Sequence, residues 1–206
     1  DLRALRGQEK FPLATDRAER SVGGMLLTCQ AGFESLLERE LAAAGAAVLE
    51  KGPGWVRTGE SAFRESLAFA HLELKSPVEV RGESVNALAQ RIADFLLASL
   101  KGERIEAAWP NLWLGPAELV GLGRRMGSVQ DACGEILRKR LSRVAKLAVP
   151  DLPRGAGAVR GLFVFFTDFG RAWVTRDAWV HGPRRMADDD LAPSRSYLKV
   201  EEAYVV

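Results

Sequence analysis

Apolar residues change their period several times along this chain, and each change marks an element. From Met25 to Cys29 the chain is apolar with little alternation, the pattern of a buried strand. Phe33, Leu36, Leu37, Leu41 and Ala44 then recur at helical spacing, which predicts a helix over 32–44 that Gly45 can close. Residues 46–50 and 55–58 read as two strands around Gly52-Pro53-Gly54, a strong turn signal. Ser61 is placed to cap a helix through about Ala70. Residues 72–81 are strand-like, with Pro77 marking an edge or a break. The order strand-helix-strand-strand-helix-strand is that of a ferredoxin-like unit.

A second unit follows. Ser84 caps a helix predicted to run to about Leu100, with Leu88, Ile92, Phe95, Leu96 and Leu100 on one side. Residues 105–113 contain a strand. Residues 115–127 are rich in glycine and read as irregular. The longest helix candidate spans 128–147, with Ala132, Ile136, Leu137, Leu141, Val144 and Ala145 as its apolar stripe. Pro150, Pro153, Gly155 and Gly157 punctuate a loop. Residues 159–167 and 171–175 then form a hairpin around Asp168-Phe169-Gly170. From about 177 the chain reads as a linker, broken at His181-Gly182-Pro183 and carrying Asp188-Asp189-Asp190. Residues 194–206 predict a loop and one short helix. The fold class is α+β. Residues 1–24 have no apolar signal core and read as an extension with little structure of its own.

Composition adds a little. The chain has 206 residues, 47% hydrophobic and 27% charged, which is ordinary for a globular protein with a real core. No apolar run approaches the ~18 residues of a membrane span. Cys29 and Cys133 have no zinc or redox spacing and read as buried thiols of a cytosolic protein. His71 and His181 lack partners for a metal site. The net charge of +2 does not announce a polyanion binder, but its distribution is informative. Residues 124–146 hold Arg124, Arg125, Arg138, Lys139, Arg140, Arg143 and Lys146 against Asp131 and Glu135. Residues 171–185 hold Arg171, Arg176, Arg184 and Arg185 against Asp177. Such segments suit a nucleic-acid backbone, or a solvated helix face and a basic loop. Helical geometry spreads the 138–143 set over more than one face, so only part of it can meet one surface. Gly121 to Gly127 superficially resembles a phosphate loop, but no apolar strand leads into it and no acidic ribose ligand follows. Of the five tryptophans, Trp179 in the expected linker is the one to test for base stacking.

The C-terminal segment Ala192-Pro193-Ser194-Arg195-Ser196-Tyr197-Leu198-Lys199-Val200-Glu201-Glu202-Ala203 places Arg195, Lys199 and Glu202 on one helical face. It resembles the opening motif of the catalytic domain of RlmM-type 23S rRNA 2′-O-ribose methyltransferases. Its Ser-Arg-x-x-x-Lys core is similar to that of the wider FtsJ-like group. Residues 25–34 resemble the family's first strand and turn, and residues 161–174 the closing strands of its THUMP domain. The resemblance covers roughly 25–206 and is weak between about 100 and 130.

It implies a ferredoxin-like subdomain over 25–82, a THUMP-like RNA-binding subdomain over 83–178, a linker over 179–193, and at 194–206 the first helix of a Rossmann-like methyltransferase domain continuing past Val206. It assigns Lys199 to a Lys-Asp-Lys-Glu set acting on a ribose 2′-hydroxyl, where an ammonium can stabilise the developing oxyanion or a deprotonated amine can act as base. Arg138, Lys139, Arg140, Arg143, Arg184, Arg185 and Arg195 are the candidate RNA contacts. The methyl donor, S-adenosylmethionine, would bind residues beyond this chain, so the chain alone is expected to be inactive. The expected partner is ribosomal RNA, with no DNA, membrane or metal, in a cytoplasmic monomer. The rival is a stand-alone α+β interaction domain that binds a protein through its basic helix.

Overall fold

The computed structural model describes residues 23–59, 67–153 and 157–181. The extension expected over 1–24 lies outside the described residues save its last two, as does most of the helix expected over 61–70. Everything from Gly182 onward also lies outside them. Of the expected helix, Leu67 to Ala70 are described, and they bend rather than coil. Their position is set by α1 (Glu34–Ala43), whose Glu40 carboxylate accepts from the Ala68 and Phe69 amides.

The chain is an α+β fold built on one sheet. β1 (Gly24–Thr28) lies between β3 (Trp55–Gly59) and β4 (Leu72–Lys75), and β3 pairs outward with β2 (Val48–Gly52), all antiparallel. Gly54, at φ +75°, lets the β2–β3 turn close. Past Ser76 and Pro77 the chain resumes as β5 (Val78–Arg81). Helix α2 (Val85–Ser99) starts at Ser84, whose hydroxyl accepts from the Ala87 amide at 3.1 Å. β6 (Trp109–Leu114), α3 (Leu122–Arg140), α4 (Ser142–Lys146) and β7 (Ala148–Val149) follow. The hairpin of β8 (Gly157–Asp168) and β9 (Arg171–Val180) completes the sheet. Its order is β2-β3-β1-β4-β9-β8-β6-β7, with β5 also on β9. Among the described residues, only the pairings of β6 with β7 and with β8 are parallel.

Three apolar clusters flank this sheet. Met25 and Leu27 of β1 pack with Leu37 and Leu41 of α1. Leu162, Val164 and Phe166 of β8 pack under α2 and α3. The alternate residues Leu26, Phe163 and Phe165 meet in a third core with Trp55, Leu74 and Trp173, joining the halves of the sheet. This explains the unbroken apolar runs at 25–27 and 162–166: both strands are buried on both faces. Gly161 is fixed by close approach, since a Cβ there would lie 2.4 Å from the Pro110 carbonyl oxygen.

Three elements depart from the sequence expectation. α3 begins at Leu122, inside the stretch read as irregular, because Gly121 adopts φ +89° and starts the helix without a side-chain cap. The helix expected through 147 breaks at Leu141 (φ −140°, ψ 59°). The break keeps Leu141, Val144 and Ala145 against the core, and the Trp109 indole donates to the Val144 carbonyl at 2.9 Å. Finally, β9 does not end at Thr175. Opposite it β8 bulges, with Gly161 and Leu162 set against Arg176 alone, and β9 continues to Val180 alongside β4.

Buried and half-buried ion pairs lock the strands. Arg176 is buried; its guanidinium donates to the Gly161 carbonyl at 2.5 Å and to Glu103 at 3.1 Å, and Glu103 also receives Arg160. Arg171 donates to Glu50 at 2.5 and 3.0 Å and pairs with Glu79. Hydrogen bonds from Arg160 hold the Glu103 carboxyl below its ordinary range, and those from Arg171 do the same for Glu50.

Two expectations follow from these contacts. Gly127 and Gly134 are interior to α3, and a Cβ at either meets at most ordinary contact. Gly127→Ala and Gly134→Ala should each raise the urea midpoint, at about 0.5–1 kcal/mol, with the m-value unchanged; Gly161→Ala should lower it. For the carboxyls, the unfolded chain takes up protons first as pH falls. Stability is therefore full above the ordinary pKa of 4.5 and is lost as pH drops through the lower folded values. Urea titrations across that range should show a shallower acid decline in Glu103→Gln than in the wild type; an identical decline would refute the assignment.

Candidate nucleic-acid interface

The end of α3 and the whole of α4 form a basic bend. On the α3 wheel, Leu122, Val129, Cys133 and Leu137 mark the buried side. Arg138 and Lys139 sit about 100° and 200° past Leu137, on the outward half. Arg140 falls back toward the buried side, where its guanidinium reaches Asp94 of α2 at 3.1 Å. Arg143 and Lys146 project from α4, past the break. All five are exposed. Among the described residues, no carboxylate pairs with Arg138, Lys139, Arg143 or Lys146, so Arg140 is the one cation of the five with a protein partner. Their place in the last turn also suits the negative end of the helix dipole.

The other candidate cations divide sharply. Arg125 donates to the carbonyls of Glu83, at 2.5 Å, and Phe169, and so ties the β8–β9 turn to α3. Arg171 and Arg176 are committed to the networks above. Half of the second basic segment is therefore structural; its other members, Arg184 and Arg185, lie outside the described residues, as do Arg195 and Lys199. Lys146 belongs with the bend although the sequence singled out only the cations up to 143. Its signal was membership of the same basic run, which helix geometry alone could not orient across the Leu141 break.

The remaining chemistry is muted. Burial raises the Cys133 thiol to about 12, and burial with the nearby Glu34 raises Cys29 to about 11, so both are protonated thiols near neutral pH. Among the described residues no group of His, Cys, Asp and Glu gathers as a metal site, and no helix is long and apolar enough to cross a membrane. A cleft of about 400 Å³ lies between the β1–α1 loop, the β2–β3 turn and the segment after β6, with His71 and Glu118 on its walls and Phe165 on its floor. Glu34 braces this end, accepting from the Gly54 amide at 2.6 Å and from Gly32, contacts that lower its pKa. The glycine-rich stretch 121–127 is the start of α3, seven residues past the end of β6, rather than a turn leading directly from a strand.

No family model matches the chain, and no curated protein matches it. Some solved structures are similar in part. A possible methylase from Clostridium difficile 630 gives a TM-score of 0.47 at 16% identity, over 89% of this chain and 48% of that one. A predicted N6-adenine-specific DNA methylase from Listeria monocytogenes str. 4b F2365 gives 0.47 at 14% identity with the same coverage. SMU.472, solved in complex with SAH, gives 0.43 at 14% identity, over 89% and 48%. The chain thus spans about half the length of the solved structures it matches. Likeness of this degree is too slight to carry an activity from one chain to another.

Proposed function

We propose that this chain is the RNA-recognition region of an S-adenosylmethionine-dependent ribosomal RNA 2′-O-ribose methyltransferase. Residues 25–82 would form its ferredoxin-like subdomain and the residues from 83 to the end of β9 its THUMP-like one, with the remainder of the expected 179–193 linker leading to the first catalytic-domain helix. The strand order β4-β1-β3-β2, with β1 and β2 joined through α1 and separated by β3, supports the ferredoxin-like part. The observation that carries RNA contact is the basic bend: Arg138, Lys139, Arg143 and Lys146 are exposed, close in sequence and without described carboxylate partners. Cations held this way are ready to replace the counterions of a phosphate backbone. Support for ribose chemistry comes from the segment around Arg195 and Lys199. There Lys199 would stabilise the 2′-oxyanion or take its proton, and Arg195, four residues earlier in the sequence, would grip a phosphate. The donor would supply the methyl group.

RNA affinity measured across a salt series tests the recognition role. Log affinity should fall linearly with log salt, and Arg138→Glu with Arg143→Glu should weaken binding and reduce the slope by about two. Arg39→Glu, on the exposed side of α1, should do neither. Salt-independent or absent binding would refute the proposal and leave the protein-partner reading.

A further inference from the structure

Beside the bulge of β8 the alternation of β9 shifts, and one tryptophan is turned outward. Trp173 and Trp179 are six residues apart, and in a regular strand they would share a face. Trp173 is buried in the core between the halves of the sheet. Past the bulge, however, it is Ala178 that faces this core, and Trp179 stands on the opposite face, 39% exposed. The shift in β9 is held by Thr175, whose hydroxyl donates to the Lys75 carbonyl at 2.6 Å and accepts from the Asp177 amide at 3.2 Å. A single exposed apolar side chain implies nothing by itself. Three further features act here.

First, the indole has low neighbours. Its partner on β8 is Ala158, which cannot cover it. Its partner on β4 is Glu73, whose carboxylate is engaged in a buried contact with His181 Nε2 at 3.2 Å. Second, Lys75 holds its ammonium over the ring in a cation–π contact, 5.1 Å from the centroid, and no described carboxylate pairs with it. The ring therefore carries a cation on one face and leaves the other for a base. Third, β9 is hydrogen-bonded on both edges at this level, to β4 and to β8, so the ring stands on a fixed floor.

We propose that Trp179 is a stacking platform for one unpaired RNA base, with Lys75 placed to meet the phosphate of that nucleotide. The inference rests on the RNA-recognition reading and specifies the ligand as single-stranded. Stacking on an aromatic ring tolerates any base, while the lysine supplies the charge complement.

Binding of a single-stranded RNA oligonucleotide, and of the same sequence as a blunt duplex, tests it. Trp179→Ala should weaken single-strand binding about tenfold or more and leave duplex binding unchanged. Trp179→Phe should retain most of the affinity. Lys75→Ala should lower the salt slope by about one, which Trp179→Ala should not. Matching urea midpoints would establish that the variants fold. If the wild type binds RNA through the basic bend while Trp179→Ala binds single strands as tightly as it does, the platform is overturned and the recognition reading stands. If the wild type binds no RNA, both fall.

Discussion

Everything in this fold passes through β9. Along one edge it is bonded to β8, and along the other to β5 and then β4. Without the last of these pairings, β1 to β4 would be a small separate sheet with one face on α1 and the other, bearing Leu26, Trp55 and Leu74, open to water. β9 brings that face against Phe163, Phe165 and Trp173. The bulge of β8 opposite Arg176 lets β9 serve two different surroundings, first beneath α2 and α3, then beside β4.

Charge is spent on two separate tasks. Arg125, Arg171 and Arg176 work inside the protein, where planar guanidinium forks bind backbone carbonyls and carboxylates. Arg138, Lys139, Arg143 and Lys146 are left to solvent. A near-neutral chain can in this way still present a local electropositive surface, because its acids are partly engaged by the arginines that hold strands together.

Most of the fold was legible in the residues. Ser84 with Leu88, Ile92 and Leu96 specifies α2 by cap and stripe, and Gly52-Pro53-Gly54 specifies the β2–β3 turn. The unclear places have physical reasons. Gly123 and Gly127 made the first turns of α3 look like a loop, although tertiary packing of Leu122 and Val129 overrides their low helix propensity. Arg176 and Asp177 made the rest of β9 look like a linker, since the alternation expected of a strand is lost at a bulge. The basic cluster was visible as composition, but its orientation was not: only the observed contact shows that Arg140 turns to Asp94 while its neighbours face outward. Ala158, Lys75 and Trp179 are far apart in sequence, and only the pairing of β4, β9 and β8 brings them to one place.

The bond from Thr175 to the Lys75 carbonyl spans 100 residues, and it has a consequence for how the chain is made. The β8–β9 hairpin is local and can form quickly. β1, β3 and β4 emerge from a ribosome long before β9 does. At the observed synthesis rates of about 5–20 residues per second, they wait several seconds with a free β4 edge and an uncovered apolar face. During that interval they are a target for chaperones and for unwanted strand pairing. These strands become safe only when β9 arrives, so slow codons placed between β4 and β9 would lengthen the vulnerable period rather than help folding.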